Sequence, residues 1–140
     1  MIIGSTLFVI FFLLACLHIY WGLGGRWGAD AAVPTNEYKE KVINPKKREC
    51  FIVGAWLLLF AFFVLIKSRL IHFHLPAFLS NYGLWLIAIP FLVRAIGEFN
   101  YVGFFKKIKT SRFAELDTKY YSPLCLLIGI LSLILQFFHP

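Results

Sequence analysis

Phe51-Ile52-Val53-Gly54-Ala55-Trp56-Leu57-Leu58-Leu59-Phe60-Ala61-Phe62-Phe63-Val64-Leu65-Ile66 holds no charged side chain. Strands of a membrane barrel alternate polar and apolar residues, and this stretch does not. It is also too long for a buried strand of a soluble protein. Lipid admits only helices or closed barrels, so the stretch is predicted as a membrane helix. Three more apolar stretches, Ile2 to Trp21, Pro76 to Val93 and Pro123 to Phe138, approach the ~20 residues needed to cross ~30 Å of hydrocarbon. With their flanks, the expected helices cover about 2–21, 47–66, 76–97 and 123–138. The expected fold class is therefore all-α integral membrane, four transmembrane helices in a compact bundle, forming a single domain over residues 1–140. A 60% hydrophobic composition and a mean hydropathy of +0.77 agree with this.

The basic residues are sorted by loop. Arg26, Lys39, Lys41, Lys46, Lys47 and Arg48 lie between the first and second stretches. Arg94, Lys106, Lys107, Lys109, Arg112 and Lys119 lie around the gap between the third and fourth. The remaining gap has only Lys67 and Arg69. A twelve-to-two bias predicts both basic loops in the cytoplasm of a multi-pass cell-membrane protein, with both termini outside. The net charge of +7 is not a nucleic-acid signal, because its residues flank apolar helices, where they set topology and meet anionic lipid. Leu13-Leu14-Ala15-Cys16 resembles a lipoprotein cleavage box, but no positively charged region precedes it, so cleavage is not expected.

Local punctuation refines the outline. Gly22, Gly24 and Gly25 permit a sharp turn after the aromatic pair Tyr20-Trp21, which suits the membrane interface. Val33-Pro34-Thr35 is expected to start a short helix in which Glu37 pairs with Lys41. Asn44-Pro45 and Ser122-Pro123 are expected to cap the second and fourth membrane helices. Gly54 and Ala55 should let a neighbouring helix approach closely. Pro90 lies inside the third helix, where it removes one backbone donor. In Gly103-Phe104-Phe105-Lys106-Lys107-Ile108-Lys109, Phe104, Phe105 and Ile108 are expected in the headgroup plane, with Lys106, Lys107 and Lys109 on anionic headgroups.

The polar residues worth weighing share one depth. His18, Tyr20 and Trp21 end the first helix, Arg94, Glu98 and Asn100 end the third, and Asp117 and Tyr121 precede the fourth. They are the candidate ligand- or partner-binding residues, because ionisable groups at a span need partners or a purpose. Arg94 and Glu98 share a helix face, but an acid in the last turn meets the negative end of the helix dipole. Glu98 is therefore expected to pair beyond its own helix, with Arg26, Tyr120, Lys119 or His18. No catalytic residue is assigned. Cys16, Cys50 and Cys125 form no Cys-x-x-Cys motif. His72-x-His74, even with His139, is a weak metal signal, and neither metal nor cofactor is expected. Proton-coupled small transporters need a mid-membrane ionisable residue, and none stands clearly there.

The strings His18-Ile19-Tyr20-Trp21-x-x-Gly24-Gly25-x-Trp27 and Arg94-x-x-Gly97-Glu98-Phe99, then Gly103-Phe104-Phe105-Lys106, Phe113-Ala114, Asp117 and Tyr121-Ser122-Pro123-Leu124-Cys125, are similar to those of small four-span bacterial membrane proteins grouped as domain of unknown function 3995. The resemblance spans essentially the whole chain. It implies the four-helix fold and a bacterial inner-membrane location, and it brings no activity. Two function classes stay open. One is an accessory protein that binds membrane lipid, a membrane protein partner or a second copy at the cytoplasmic mouth of the bundle. The other is a small lipid-modifying enzyme with acid–base residues at the same mouth.

Overall fold

The computed structural model describes residues 2–138. All regular structure among them is helical: α1 (Ile2–Gly22), α2 (Ala29–Ala32), α3 (Lys47–Lys67), α4 (Ala77–Ile96), α5 (Arg112–Leu116), a π-helical turn (Asp117–Tyr121) and α6 (Ser122–Phe138). Four helical stretches are long and apolar enough to cross a membrane, namely α1, α3, α4 and the continuous run Arg112–Phe138. The expected bundle of four membrane helices is the fold of this protein.

The helices associate as two pairs. α1 packs along α3 and α4 packs along α6, while α1 meets α6 and α3 meets α4 only lightly. Between lipid-facing helices burial from water drives little, so close fit and small residues decide the pairing. Gly54 lets the backbone of α1 approach, with the Ala15 carbonyl 3.4 Å from where a Cβ would stand. Gly129 does the same for α4, with the Ala88 carbonyl at 3.4 Å. Ala55, also expected at a close contact, faces outward instead. One shared core joins the pairs: Leu7, Phe11, Leu57, Leu84, Ile128 and Leu135 all belong to it. Phe11 stands between Phe60 and Phe91, with ring centroids 5.8 and 5.7 Å away.

Several local details differ from expectation. α3 starts at Lys47 as expected, but Glu49 caps it by accepting from the Lys46 amide at 2.9 Å, and Asn44-Pro45 stays in the loop. No helix forms at Val33-Pro34-Thr35. Asn36 Oδ1 accepts from the amides of Tyr38 (3.0 Å) and Glu40 (2.9 Å), a local bond that competes with helix. Thr35 and Lys41 form an isolated antiparallel bridge. The short helix is α2, and Lys41 pairs with Asp30 at 2.8 Å rather than with Glu37. That ammonium, through its hydrogen bond first and its charge second, holds the Asp30 carboxyl below its ordinary range.

The last helix departs most. Ser122-Pro123 does not start it, because the chain is already helical from Arg112. Proline lacks a donor, and inside a helix its ring crowds the carbonyl four residues back. The turn before Pro123 widens to a π turn, in which the Ser122 amide donates to the Asp117 carbonyl. α4, by contrast, remains helical through Pro90. An expected approach of His139 to His72 and His74 lies outside the described residues.

The fit at Gly129 is testable. A Cβ there would stand 2.6 Å from the Leu92 side chain. Gly129→Val should lower stability in detergent by about 1–3 kcal/mol, as overpacking does, whereas Ala55→Val on the outward face should be near neutral. Thermal unfolding followed by size-exclusion chromatography measures both.

Candidate functional site

At the end of the bundle that carries the basic loops, the polar groups sort into two neighbouring clusters. The first is built by the chain leaving α4. Gly97 stops the helix at φ 89, and Gly103, at φ 90, lies against it. A Cβ on Gly97 would collide with the Val102 carbonyl, and one on Gly103 with the Ile96 carbonyl, so only glycine permits the crossing. The Phe104 amide then donates to the Ala95 carbonyl at 2.9 Å, satisfying a helix-end acceptor. This fold-back aims the Gly103 amide and the Lys106 side chain at Asp117.

Asp117 is fully buried. Its Oδ1 accepts from Arg94 Nη2 at 2.8 Å. Its Oδ2 accepts from the Gly103 amide (2.9 Å), Lys106 Nζ (3.0 Å) and Ser122 Oγ (3.1 Å). Lys106, itself buried, also donates to the Gly103 carbonyl at 2.9 Å and to Thr118 Oγ1 at 2.6 Å. Two cations thus share one carboxylate. Arg94 Nη1 is buried without a hydrogen-bond partner among the described residues. The cluster ties α4, the loop after it and the π turn before α6.

The second cluster sits at the end of α1. The Gly25 amide donates to the Tyr20 carbonyl at 2.9 Å, and Gly25 lies against the Tyr20 ring, where a side chain would clash. Trp21 Nε1 donates to the Trp27 carbonyl at 2.9 Å, and the Trp27 amide donates to Tyr20 Oη at 3.4 Å. The turn after α1 is therefore folded on its own aromatic residues. His18 Nδ1 is 2.8 Å from the Leu14 carbonyl. A carbonyl only accepts, so Nδ1 carries the proton and Nε2 of the neutral ring keeps its lone pair. The ring stands edge-on to Trp21 with centroids 5.1 Å apart. Beside it a cavity of about 350 Å³ lies between α1, α3 and the loop joining them. His18, Trp21, Val33, Pro45, Cys50 and Val53 line it, with Lys47 and Glu49 also on its wall.

Tyr121 bridges toward the first loop, donating to the Ala31 carbonyl at 3.2 Å and packing on Phe113 at 5.9 Å. The remaining expectations need correction. Glu98 does not join a distant segment. α4 ends at Ile96, and the exposed Glu98 carboxylate accepts from the Tyr101 amide, closing the following turn. Freed from the helix, it has no dipole to escape. Asp117 is the acid that takes Arg94. Asn100 is exposed, and its carbonyl accepts from the Ile108 amide at 3.0 Å. Lys107 and Lys109 are exposed, but Lys106 is turned inward, because the fold-back at Gly103 places it over Asp117. His18 and Arg94 do not meet. Among the described residues, no three His, Cys, Asp or Glu side chains converge as metal ligands. The cavity wall formed by Val33, Pro45, Lys47 and Cys50 was not foreseen. Its only sequence signal is the His18-to-Trp27 string that folds its neighbour.

Removing one partner from a buried ion pair costs about 3–5 kcal/mol. Asp117→Asn should lose stability on that scale. Adding Lys106→Met should recover about 1 kcal/mol or more, since the two sites are coupled. Denaturation of the single and double variants in detergent measures the coupling, and strict additivity would contradict the geometry.

No curated protein and no solved structure matches this chain. The family described as "Protein of unknown function (DUF3995)" matches residues 11–132, a stretch that runs from the middle of α1 to the middle of α6 and includes both clusters. This four-span membrane protein therefore belongs to the DUF3995 family.

Proposed function

We propose that this protein is a lipid-binding accessory protein of the membrane, working at its basic end, with that end in the cytoplasm. The observation that carries this is the cavity of about 350 Å³ beside His18. Its wall is largely apolar, which suits the hydrocarbon portion of an amphiphile. Lys47 on the wall and the exposed Lys46 and Arg48 next to it suit an anionic headgroup. His18 Nε2 is a ready acceptor for a headgroup hydroxyl. The Asp117 cluster supports the site as a scaffold, since each carboxylate oxygen already has its donors. Exposed Phe104 and Phe105 beside Lys107 and Lys109 extend the same surface into the headgroup layer.

Binding is measured by native mass spectrometry with phosphatidylglycerol and phosphatidylcholine. Phosphatidylglycerol should bind more tightly, and Lys47→Gln should weaken it about fivefold, the worth of one cation near an anionic surface. Val53→Trp should block binding by filling the cavity. Equal affinity for the two lipids, or indifference to Val53→Trp, would overturn the reading. The free His18 Nε2 also supports a second reading, acid–base chemistry on the bound lipid. That reading requires His18→Gln to abolish turnover while lipid still binds.

Orientation is tested separately. Cys16, Cys50 and Cys125 are free, so single cysteines are introduced after their removal. An impermeant reagent added to intact cells should label Ser68→Cys and spare Lys41→Cys and Lys107→Cys. The reverse pattern would invert the proposal.

A further inference from the structure

We propose a second lipid site at the opposite end of the bundle, in the seam between α3 and α4, selective for a membrane lipid with an anionic headgroup. α3 and α4 follow each other in the chain, yet they touch only lightly, because each packs along a different helix. The opening between them is an apolar groove of about 450 Å³, lined by Trp56, Phe60, Phe63, Phe73, Leu79 and Leu86. Gly83 lies on its floor, and the Phe63 ring occupies the space a side chain there would need.

The groove does not end blindly. Ile66, Phe73 and Leu75 also line a cleft of about 250 Å³ under the loop that joins the two helices. Arg69 and His74 line that cleft, and Arg69, His72 and His74 line its open extension. These three side chains are exposed, and none has a hydrogen-bond or ion-pair partner among the described residues. Lys67 is different. It is buried, and its ammonium donates to the Ser80 carbonyl at 2.8 Å, across the base of the cleft. Arg69 adopts φ 58 in the turn that ends α3, where the Leu70 amide donates to the Leu65 carbonyl at 3.0 Å.

Charge identifies the occupant. No Asp or Glu lies within residues 67–76, and Arg69 has no ion-pair partner among the described residues. An acyl-sized apolar groove that opens into an unneutralised cationic cleft has the shape and polarity of an anionic lipid. A neutral lipid would leave the arginine without a partner, and a partner helix would leave the cleft empty.

The full-length protein is placed in nanodiscs of phosphatidylcholine doped with phosphatidylglycerol bearing a diazirine in one acyl chain, or with the matching phosphatidylcholine probe. Cross-links are mapped by mass spectrometry. Phosphatidylglycerol labels should concentrate on peptides containing Trp56, Phe73, Leu79 and Leu86, and exceed the phosphatidylcholine labels there. Arg69→Gln with His72→Gln and His74→Gln should reduce the phosphatidylglycerol excess about fivefold or more, and these exposed changes leave the core untouched. Lys47→Gln at the other end should leave it unchanged. Equal labelling by both probes, labels spread over all lipid-facing helices, or insensitivity to the triple change would each overturn the proposal. Cross-linked dimers in place of lipid adducts would assign the groove to a second copy instead.

Discussion

A fully buried carboxylate needs its charge answered, and the basic end of this protein is organised by that need at Asp117. The idealised cost of taking such an ion out of water is on the order of 20 kcal/mol, and the effective cost after relaxation is still several. Four donors from three segments answer it: a guanidinium on α4, a backbone amide and an ammonium on the following loop, and a hydroxyl at the start of α6. Each donor requires something further. The amide requires two glycines to cross, the ammonium requires the fold-back, and the hydroxyl requires the wide turn before Pro123.

The division of labour at this end follows from that. In the ion cluster both carboxylate oxygens are bonded and the lysine is enclosed. The neighbouring cavity is lined mostly by apolar residues, with His18, Lys47 and Glu49 on its wall. Charged residues that looked equivalent along the chain thus play opposite parts. Lys106 is part of the frame, while Lys47 is exposed on the cavity wall.

The membrane helices were legible because length and hydropathy act one residue at a time and need no partner. Asp117 and Arg94 were marked because charge at a span is costly wherever the chain goes. What could not be read was pairing, because it depends on where the loop turns. Glu98 stood closer to Arg94 in sequence than Asp117 did, yet α4 stops at Ile96 and the fold-back brings the more distant acid. Lys106 reads as one of three surface lysines until Gly97 and Gly103 are seen to cross. Ser122-Pro123 has the form of a helix start, and only the preceding five residues, already helical, show that the proline is inside a longer helix. The seam between α3 and α4 is likewise invisible in either helix alone.

The pairing of helices also sets a schedule for biogenesis. α1 pairs with α3, and α4 with α6, so the first helix of each pair waits for a partner still to be synthesised. Arg94 and Lys106 leave the ribosome 23 and 11 residues ahead of the aspartate they share. During that interval the two cations stand without the carboxylate that they share in the finished fold. Completion of the last helix is the event that closes the fold.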